Sequence, residues 1–233
     1  MRSKKMDRSK TAEGAFEAEL NALYAGIRNM RGFEGDYLED RKKLFRVTLS
    51  YMDELNKVRK YACPLSTNIL LGSILESLLL ALVLEHSSNA RKSKVWEKAE
   101  KDQSRKAERI SVDIPILYFS ELIEITDNLK LFRTSGLQQK IDLLILEDVF
   151  PFLRGENRDR MTRQVKENTW DAKRNHELMH QLRGFRNAVH PLQVISSKTK
   201  VDPDEFVKTV WSGLRLLVLL NEMFGFNSPL RQS

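Results

Sequence analysis

Histidine and arginine side chains gather on one side of a helix predicted over residues 176–190. On a helical wheel with about 100° per residue, five polar residues fall within an arc of roughly 80°: His176, His180, Arg183, Asn187 and His190. Arg186 lies at the edge of this arc. The opposite side holds four apolar residues that we expect to enter a core: Leu178, Leu182, Phe185 and Val189. An arginine can hold a phosphate, and a histidine can accept or donate a proton near neutral pH. Cleavage of RNA by its own 2′-hydroxyl requires those two capabilities and no metal.

Two arginines on this helix are placed to share a substrate with His190. Arg186 precedes the histidine by four residues and Arg183 precedes it by seven, so all three lie near one another on the helix surface. We expect the guanidinium groups to clamp a phosphate while Asn187 orients the ribose or the imidazole. The alternative is an ordinary amphipathic helix that has a solvent-exposed polar face and ends at Pro191.

The same helix contains the pattern His-Glu-x-x-His at residues 176–180. On a helix, two such histidines can bind zinc while the glutamate activates water. His190 lies about 15 Å beyond His180 along a straight helix, too far to share the ion. Another helix would have to supply the third ligand, for example Glu205 or Glu222. No strand is predicted that could bind an extended peptide, so zinc proteolysis is the weaker alternative and His180 is expected at the rim of an RNA site.

Helical periodicity extends through most of the chain, and with ten glycines, six prolines and no long alternating segment little room is left for a sheet. We predict an all-α helical bundle in one domain at residues 11–230, preceded by a basic tail at 1–10. Residues 87–112 are predicted to be a basic insertion, either an exposed helix or a mobile arm. Six helices are predicted at 11–30, 36–61, 65–85, 116–132, 136–152 and 169–189. A last helix is predicted from its end signals, with Asp202 as N-cap, Pro203 at its first position, Glu205 in its first turn and Gly225 after its end.

The helix predicted at 65–85 is strongly apolar and follows Pro64, which suits a first helical position. Glu76 lies in its middle, which argues against a membrane span. A polar stripe should face a neighbouring helix or a site: Asn68, Gly72, Ser73, Glu76 and Ser77. We expect the Glu76 carboxylate to pair with Arg183, Arg186 or His190, either to fix packing or to orient the site.

Basic residues outnumber acidic ones by 39 to 32, which gives a net charge of +7 and favours a polyanionic partner such as RNA. The single cysteine and the absence of a signal-peptide pattern favour a reducing cytoplasm, with no membrane association. No Gly-rich phosphate loop or other cofactor signature is present, so no cofactor is expected. The residues expected to contact RNA phosphates are Lys4, Lys5, Arg158, Arg160 and Arg163.

Residues 182–191, with the sequence LRGFRNAVHP, resemble the signature of the HEPN superfamily (higher eukaryote and prokaryote nucleotide-binding domains). That signature separates an arginine from a histidine by four to six residues, often with a polar residue between them. Arg183 and His190 match it with six intervening residues, whereas Arg186 has only three before His190, although Asn187 matches the polar position. Residues 71–76 and 118–124 also resemble helices of that family, and the resemblance covers roughly 65–225.

The resemblance implies a helical bundle that forms a homodimer with two motif helices facing each other. Many members of the family are metal-independent endoribonucleases of toxin, RNA-processing or antiviral defence systems, while others are non-catalytic binding or adaptor modules. It therefore implies catalytic roles for Arg183, Arg186, Asn187 and His190, and a cognate antitoxin or defence-system protein as a further partner. Leu192 stands where toxins that are modified by a nucleotidyltransferase carry a tyrosine, which puts such modification in doubt.

Overall fold

The computed structural model describes residues 2–30, 37–58, 64–102, 114–131 and 204–226, and six residues outside these ranges: Asp159, Arg163, Met179, His180, Leu182 and Arg183. The helices within the described ranges are α1 (Arg2–Asn29), α2 (Leu38–Val58), α3 (Pro64–Glu85), α4 (Ser87–Ala90), α5 (Lys94–Lys101), α6 (Phe119–Asn128) and α7 (Asp204–Met223). These ranges contain no β-strand. The all-α class predicted from the sequence is therefore confirmed for this part of the chain.

Helices α2 and α3 form an antiparallel pair. The hydroxyl groups of Thr48 and Ser77 are hydrogen-bonded at 2.9 Å, and Arg41 forms an ion pair with Glu85 at 2.7 Å. Because residue 41 pairs with residue 85 and residue 48 pairs with residue 77, the two helices run in opposite directions. Ser77 belongs to the polar stripe predicted on α3, so this part of the stripe faces a neighbouring helix as expected. Helix α3 begins at Pro64, which confirms the predicted role of that proline.

Helices α1 and α7 run parallel and approach each other closely at two glycines. A methyl group at Gly213 would overlap the ring of Phe16, and one at Gly26 would overlap the ring of Phe226. Residue 16 lies beside residue 213 and residue 26 lies beside residue 226, so the two helices run in the same direction. Because each glycine lacks a Cβ, an aromatic ring of the partner element can lie directly against its backbone.

Helix α7 ends where the sequence predicted. Gly225 has a φ of +67°, and Phe226 donates its N–H to the carbonyl oxygen of Asn221 at 2.7 Å. This closure, with a glycine in the left-handed conformation just beyond the helix, is a Schellman motif. Phe224, directly before this glycine, packs against Phe45 of α2 with ring centroids 6.0 Å apart. Asp202, Pro203 and the side chain of Glu205 lie outside the described residues.

The first helix is longer than predicted. It begins at Arg2 instead of residue 11, so the basic residues 2–10, including Lys4 and Lys5, belong to α1 and do not form a separate irregular tail. No glycine or proline precedes Gly14, and this stretch contains several good helix formers. The apolar stripe read from the sequence begins at Phe16, which is buried, and this late start of the apolar pattern is the reason for the short prediction.

The segment predicted as a basic insertion contributes to the core. Ser93 caps α5 by accepting the N–H of Trp96 at 3.2 Å, and the side chains of Trp96 and Ala99 are buried. Residues 94–101 are therefore an amphipathic helix with one packed face and an otherwise mostly exposed surface, which agrees with the exposed-helix alternative and not with a mobile arm for this stretch. Residues 103–112 lie outside the described ranges, as does the helix predicted at 136–152.

Helix α6 is shorter than the predicted helix at 116–132. Residue Tyr118 is extended, and its N–H donates to the carboxylate of Glu121 at 2.7 Å, which fixes the start of the helix at Phe119. At the other end, Lys130 has a φ of +54° and Leu131 donates to the carbonyl oxygen of Thr126 at 3.1 Å. Local capping thus stops the helix before the apolar periodicity stops.

Helix α3 lies at the centre, against α2, α6 and α7. Its stretch Leu65–Glu85 is long and apolar enough to cross a membrane, judged by length and composition alone, but 78% of its most apolar window is buried inside the protein. Such burial fits the core helix of a soluble protein, which is the predicted role of this segment.

Candidate functional site

The helix predicted to carry the chemistry is described at four residues. Met179, His180, Leu182 and Arg183 are all helical. Met179 and Leu182 are almost fully buried and belong to the same core cluster as the helices above. Leu182 was predicted on the core side, and that prediction is confirmed; Met179 widens the buried side toward the polar arc.

Arg183 lies at the border between the core and the polar arc. On a helical wheel it is about 70° from the middle of the side defined by Met179 and Leu182, whereas His180 is about 130° away. Both side chains are half-buried. The wider buried side brings Arg183 closer to the core than the sequence predicted, so part of its guanidinium lies below the surface.

The Nε atom of Arg183 is buried and has no hydrogen-bond partner among the residues that the structure describes. An N–H group taken out of water without an acceptor costs about 1–3 kcal/mol, and more when the group is charged. An oxygen-rich anion that reached this guanidinium would supply the acceptor.

Glu76, predicted to support the site, is half-buried in the middle of α3 and has an interaction partner of its own. The ion pairs within the described residues do not include one between Glu76 and Arg183. The other partners predicted for this carboxylate, Arg186 and His190, lie outside the described residues. His180 is half-buried and also has an interaction partner, and its place at the rim of a site stays a prediction.

The remaining predicted site residues are described in part or not at all. Arg163 is helical and exposed, which suits a phosphate contact, while Lys4 and Lys5 are helical without a described side-chain position. The predicted residues that lie outside the described part of the chain are Arg158, Arg160, Arg186, Asn187 and His190. The structure thus brings together Arg183 and His180 on successive turns of one helix.

No group of three or more histidine, cysteine, aspartate or glutamate side chains that could hold a metal occurs within the described residues. His176 and Glu177 are not among those residues, so the zinc alternative stays a prediction. Glu222, a candidate third ligand, is half-buried on α7 and has an interaction partner.

Sequence reasoning missed a second group of polar side chains. The guanidinium of Arg91 lies over the rings of Tyr37 and Trp96, at 5.7 Å and 6.0 Å from their centroids. The available signal was a tryptophan within a basic run, but its partner Tyr37 is far away in sequence. Only the packing of α5 and of the start of α2 shows that these residues meet.

Comparison of the chain with known protein families, with characterised proteins and with solved structures finds no match.

Proposed function

We propose that this protein is a metal-independent endoribonuclease of the HEPN type. The observation that carries the proposal is the buried Nε of Arg183, which lacks an acceptor among the described residues and lies one turn from His180. A phosphodiester has the charge and the paired oxygens that a guanidinium fork binds best.

Partial burial suits Arg183 to charge stabilisation. Its side chain rises from a helix whose neighbouring residues Met179 and Leu182 are locked in the core, so the guanidinium is held on a rigid element. A donor that is held in place before the substrate arrives stabilises the charge that develops on a phosphorane without reorganising during the reaction. Arg186, on the same helix, shares this task or pairs with Glu76.

The proposed reaction needs one proton acceptor and one proton donor. A histidine removes the proton of the ribose 2′-hydroxyl, and the 2′-oxygen then forms a bond to phosphorus. The bond to the 5′-oxygen breaks, and a second acid protonates that oxygen. The products end in a 2′,3′-cyclic phosphate and a 5′-hydroxyl. His190 of one chain supplies one of these groups, and His190 of a second copy across a twofold axis supplies the other.

The biological setting that goes with this activity is a toxin or antiviral defence effector, with a cognate antitoxin or defence-system protein as a partner. That setting rests on the likeness of residues 182–191 to HEPN ribonucleases.

Incubation of purified protein with RNA in the presence of EDTA tests the proposal. We expect cleavage with cyclic phosphate ends, and we expect an RNA with a 2′-deoxy residue at the cut site to resist. Cleavage of the deoxy substrate at an undiminished rate would rule out attack by the 2′-hydroxyl. Binding of RNA without any cleavage would favour the non-catalytic binding module instead.

A further inference from the structure

A basic and aromatic cluster lies where α2 begins and the connection from α4 to α5 passes by. We define this cluster as Tyr37, Arg91 and Trp96. The Arg91 guanidinium is placed over both rings and donates a hydrogen bond to the Tyr37 hydroxyl. Three contacts therefore hold one side chain that is exposed to solvent.

The cluster is layered from the core outward. Trp96 is 1% exposed and forms the floor, Tyr37 is half-buried, and Arg91 is the outer layer. Cation–π contacts of this kind orient the planar guanidinium, and the hydrogen bond to Tyr37 uses only one of its five N–H donors. The edge and outer face of Arg91 are left for a ligand.

Among the described residues, Arg91 differs in its charge balance from four lysines of α2 and α5, whereas Lys92, Lys94 and Lys98 beside it also form no ion pair. Lys42, Lys43, Lys57 and Lys101 each form an ion pair with an acidic residue three or four positions away. The hydrogen bond from Lys101 holds the pKa of Glu97 below its usual value. Arg91 forms no ion pair within the described part of the chain. It is a fixed cation whose charge no described carboxylate neutralises.

The backbone conformation of Tyr37 also indicates that this cluster is held in a fixed geometry. Its φ is +59°, a left-handed conformation that a residue with a large side chain rarely adopts. The Tyr37 carbonyl accepts the N–H of Arg41 at 2.9 Å and so opens α2. Strained residues of this kind persist where surrounding contacts hold them, and they are concentrated at functional sites.

We propose that the cluster of Tyr37, Arg91 and Trp96 binds single-stranded RNA outside the cleavage site. One base stacks on the outer face of the Arg91 guanidinium, and the N–H groups at its edge hold a flanking phosphate. Arginine planes are stacking surfaces for unpaired bases, and a side chain that is already oriented loses little freedom on binding. Residues 91–102 contain five basic and three acidic side chains, which favours a polyanion at this end of the molecule. The choice of RNA as the ligand rests on the proposed function.

Fluorescence anisotropy with a labelled 2′-O-methyl oligonucleotide of mixed sequence tests this inference, because the unmodified protein cannot cleave that ligand by 2′-hydroxyl attack. Arg91→Ala should weaken binding about tenfold or more and reduce the salt slope by about one. Arg91→Lys should retain the salt slope but lose most of the same affinity, because an ammonium offers no plane. The matched control is Lys57→Ala, which removes one exposed charge at the other end of α2 and should change the affinity less than about twofold.

An equal loss of oligonucleotide affinity in Arg91→Ala and in Lys57→Ala would overturn the inference. So would an Arg91→Lys variant that binds like the unmodified protein, since charge alone would then explain the contact. An oligonucleotide with abasic sites supplies an independent measurement that needs no change in the protein: its binding should be weaker for the unmodified chain and no longer sensitive to Arg91→Lys. RNA cleavage that persists while Arg91→Ala binds normally would reject only this inference. If the protein does not cleave RNA but its RNA binding still depends on Arg91, only the proposed endoribonuclease activity would be rejected.

Discussion

Asn221 on α7 donates its side-chain amide to Glu19 on α1 twice, to the carboxylate at 2.7 Å and to the backbone oxygen at 3.1 Å. Both residues are fully buried. This polar contact lies between the two glycine contacts of the same helix pair, and it joins residues near opposite ends of the chain. It therefore specifies how the parallel helices α1 and α7 are aligned.

Replacement of Asn221 by alanine should destabilise the protein by about 2 kcal/mol, because it removes two hydrogen bonds to buried acceptors, one of them a carboxylate. Urea denaturation followed by circular dichroism measures the change. Asn29→Ala is the control, since Asn29 is exposed in the last turn of α1. Equal midpoints for the two variants would contradict the role given to Asn221.

Two glycine substitutions should have opposite effects. Gly213→Ala should destabilise the fold by about 1–3 kcal/mol, since its methyl group meets Phe16 and Leu71. Gly14→Ala should stabilise it by up to about 1 kcal/mol, because Gly14 lies on a helix with nothing within 4 Å of the added carbon. Thermal melts of the two variants under one condition test both signs at once. A stabilised Gly213→Ala variant would show that α1 and α7 do not pack as described.

Removal of the His190 imidazole should lower the cleavage rate about 10²-fold or more while RNA affinity changes little. Arg183→Ala should lower the rate as well, and Arg183→Lys should not restore it, since lysine has no Nε–H to replace the buried donor. Single-turnover kinetics separate the chemical step from binding. Arg28→Ala, an exposed change on α1, is the control for loss of one charge. Unchanged rates for both site variants would place the chemistry elsewhere.

Metal should be dispensable. Saturating EDTA is expected to leave RNA cleavage unchanged, because the proposed mechanism uses only imidazole and guanidinium groups. Plasma mass spectrometry of the purified protein is expected to find no stoichiometric zinc. Tight zinc that is lost in His176→Ala would instead favour the metalloprotease alternative at residues 176–180.

The active protein should be a homodimer. Each chain carries one His190, whereas the reaction needs an acid and a base, so a second copy is required to complete the site. Light scattering at micromolar concentration should report twice the chain mass of 27.1 kDa. A monomer that retains full nuclease activity would refute this arrangement.

The sequence by itself determined the features that depend on neighbouring residues. Apolar residues at helical spacing predicted α2 and α3 within a few residues, Pro64 marked the start of α3, and Gly225 marked the end of α7. These signals are local, because a cap or a helix stop is made by residues within one or two turns of each other. Where the apolar pattern and the helix ends differed, as at Arg2 and Phe119, helix propensity and capping decided.

Only the tertiary structure decided which helices meet and in which direction. Nothing in the spacing of Phe16 or Gly213 reveals that α1 and α7 run parallel, and nothing near Arg91 reveals that its guanidinium lies over Tyr37, which is 54 positions away. The half-buried position of Arg183 has the same origin, since it depends on how far the core extends past Leu182 to Met179. Long-range contacts arise when several amphipathic faces bury one another at once, and the periodicity of a single helix does not contain that information.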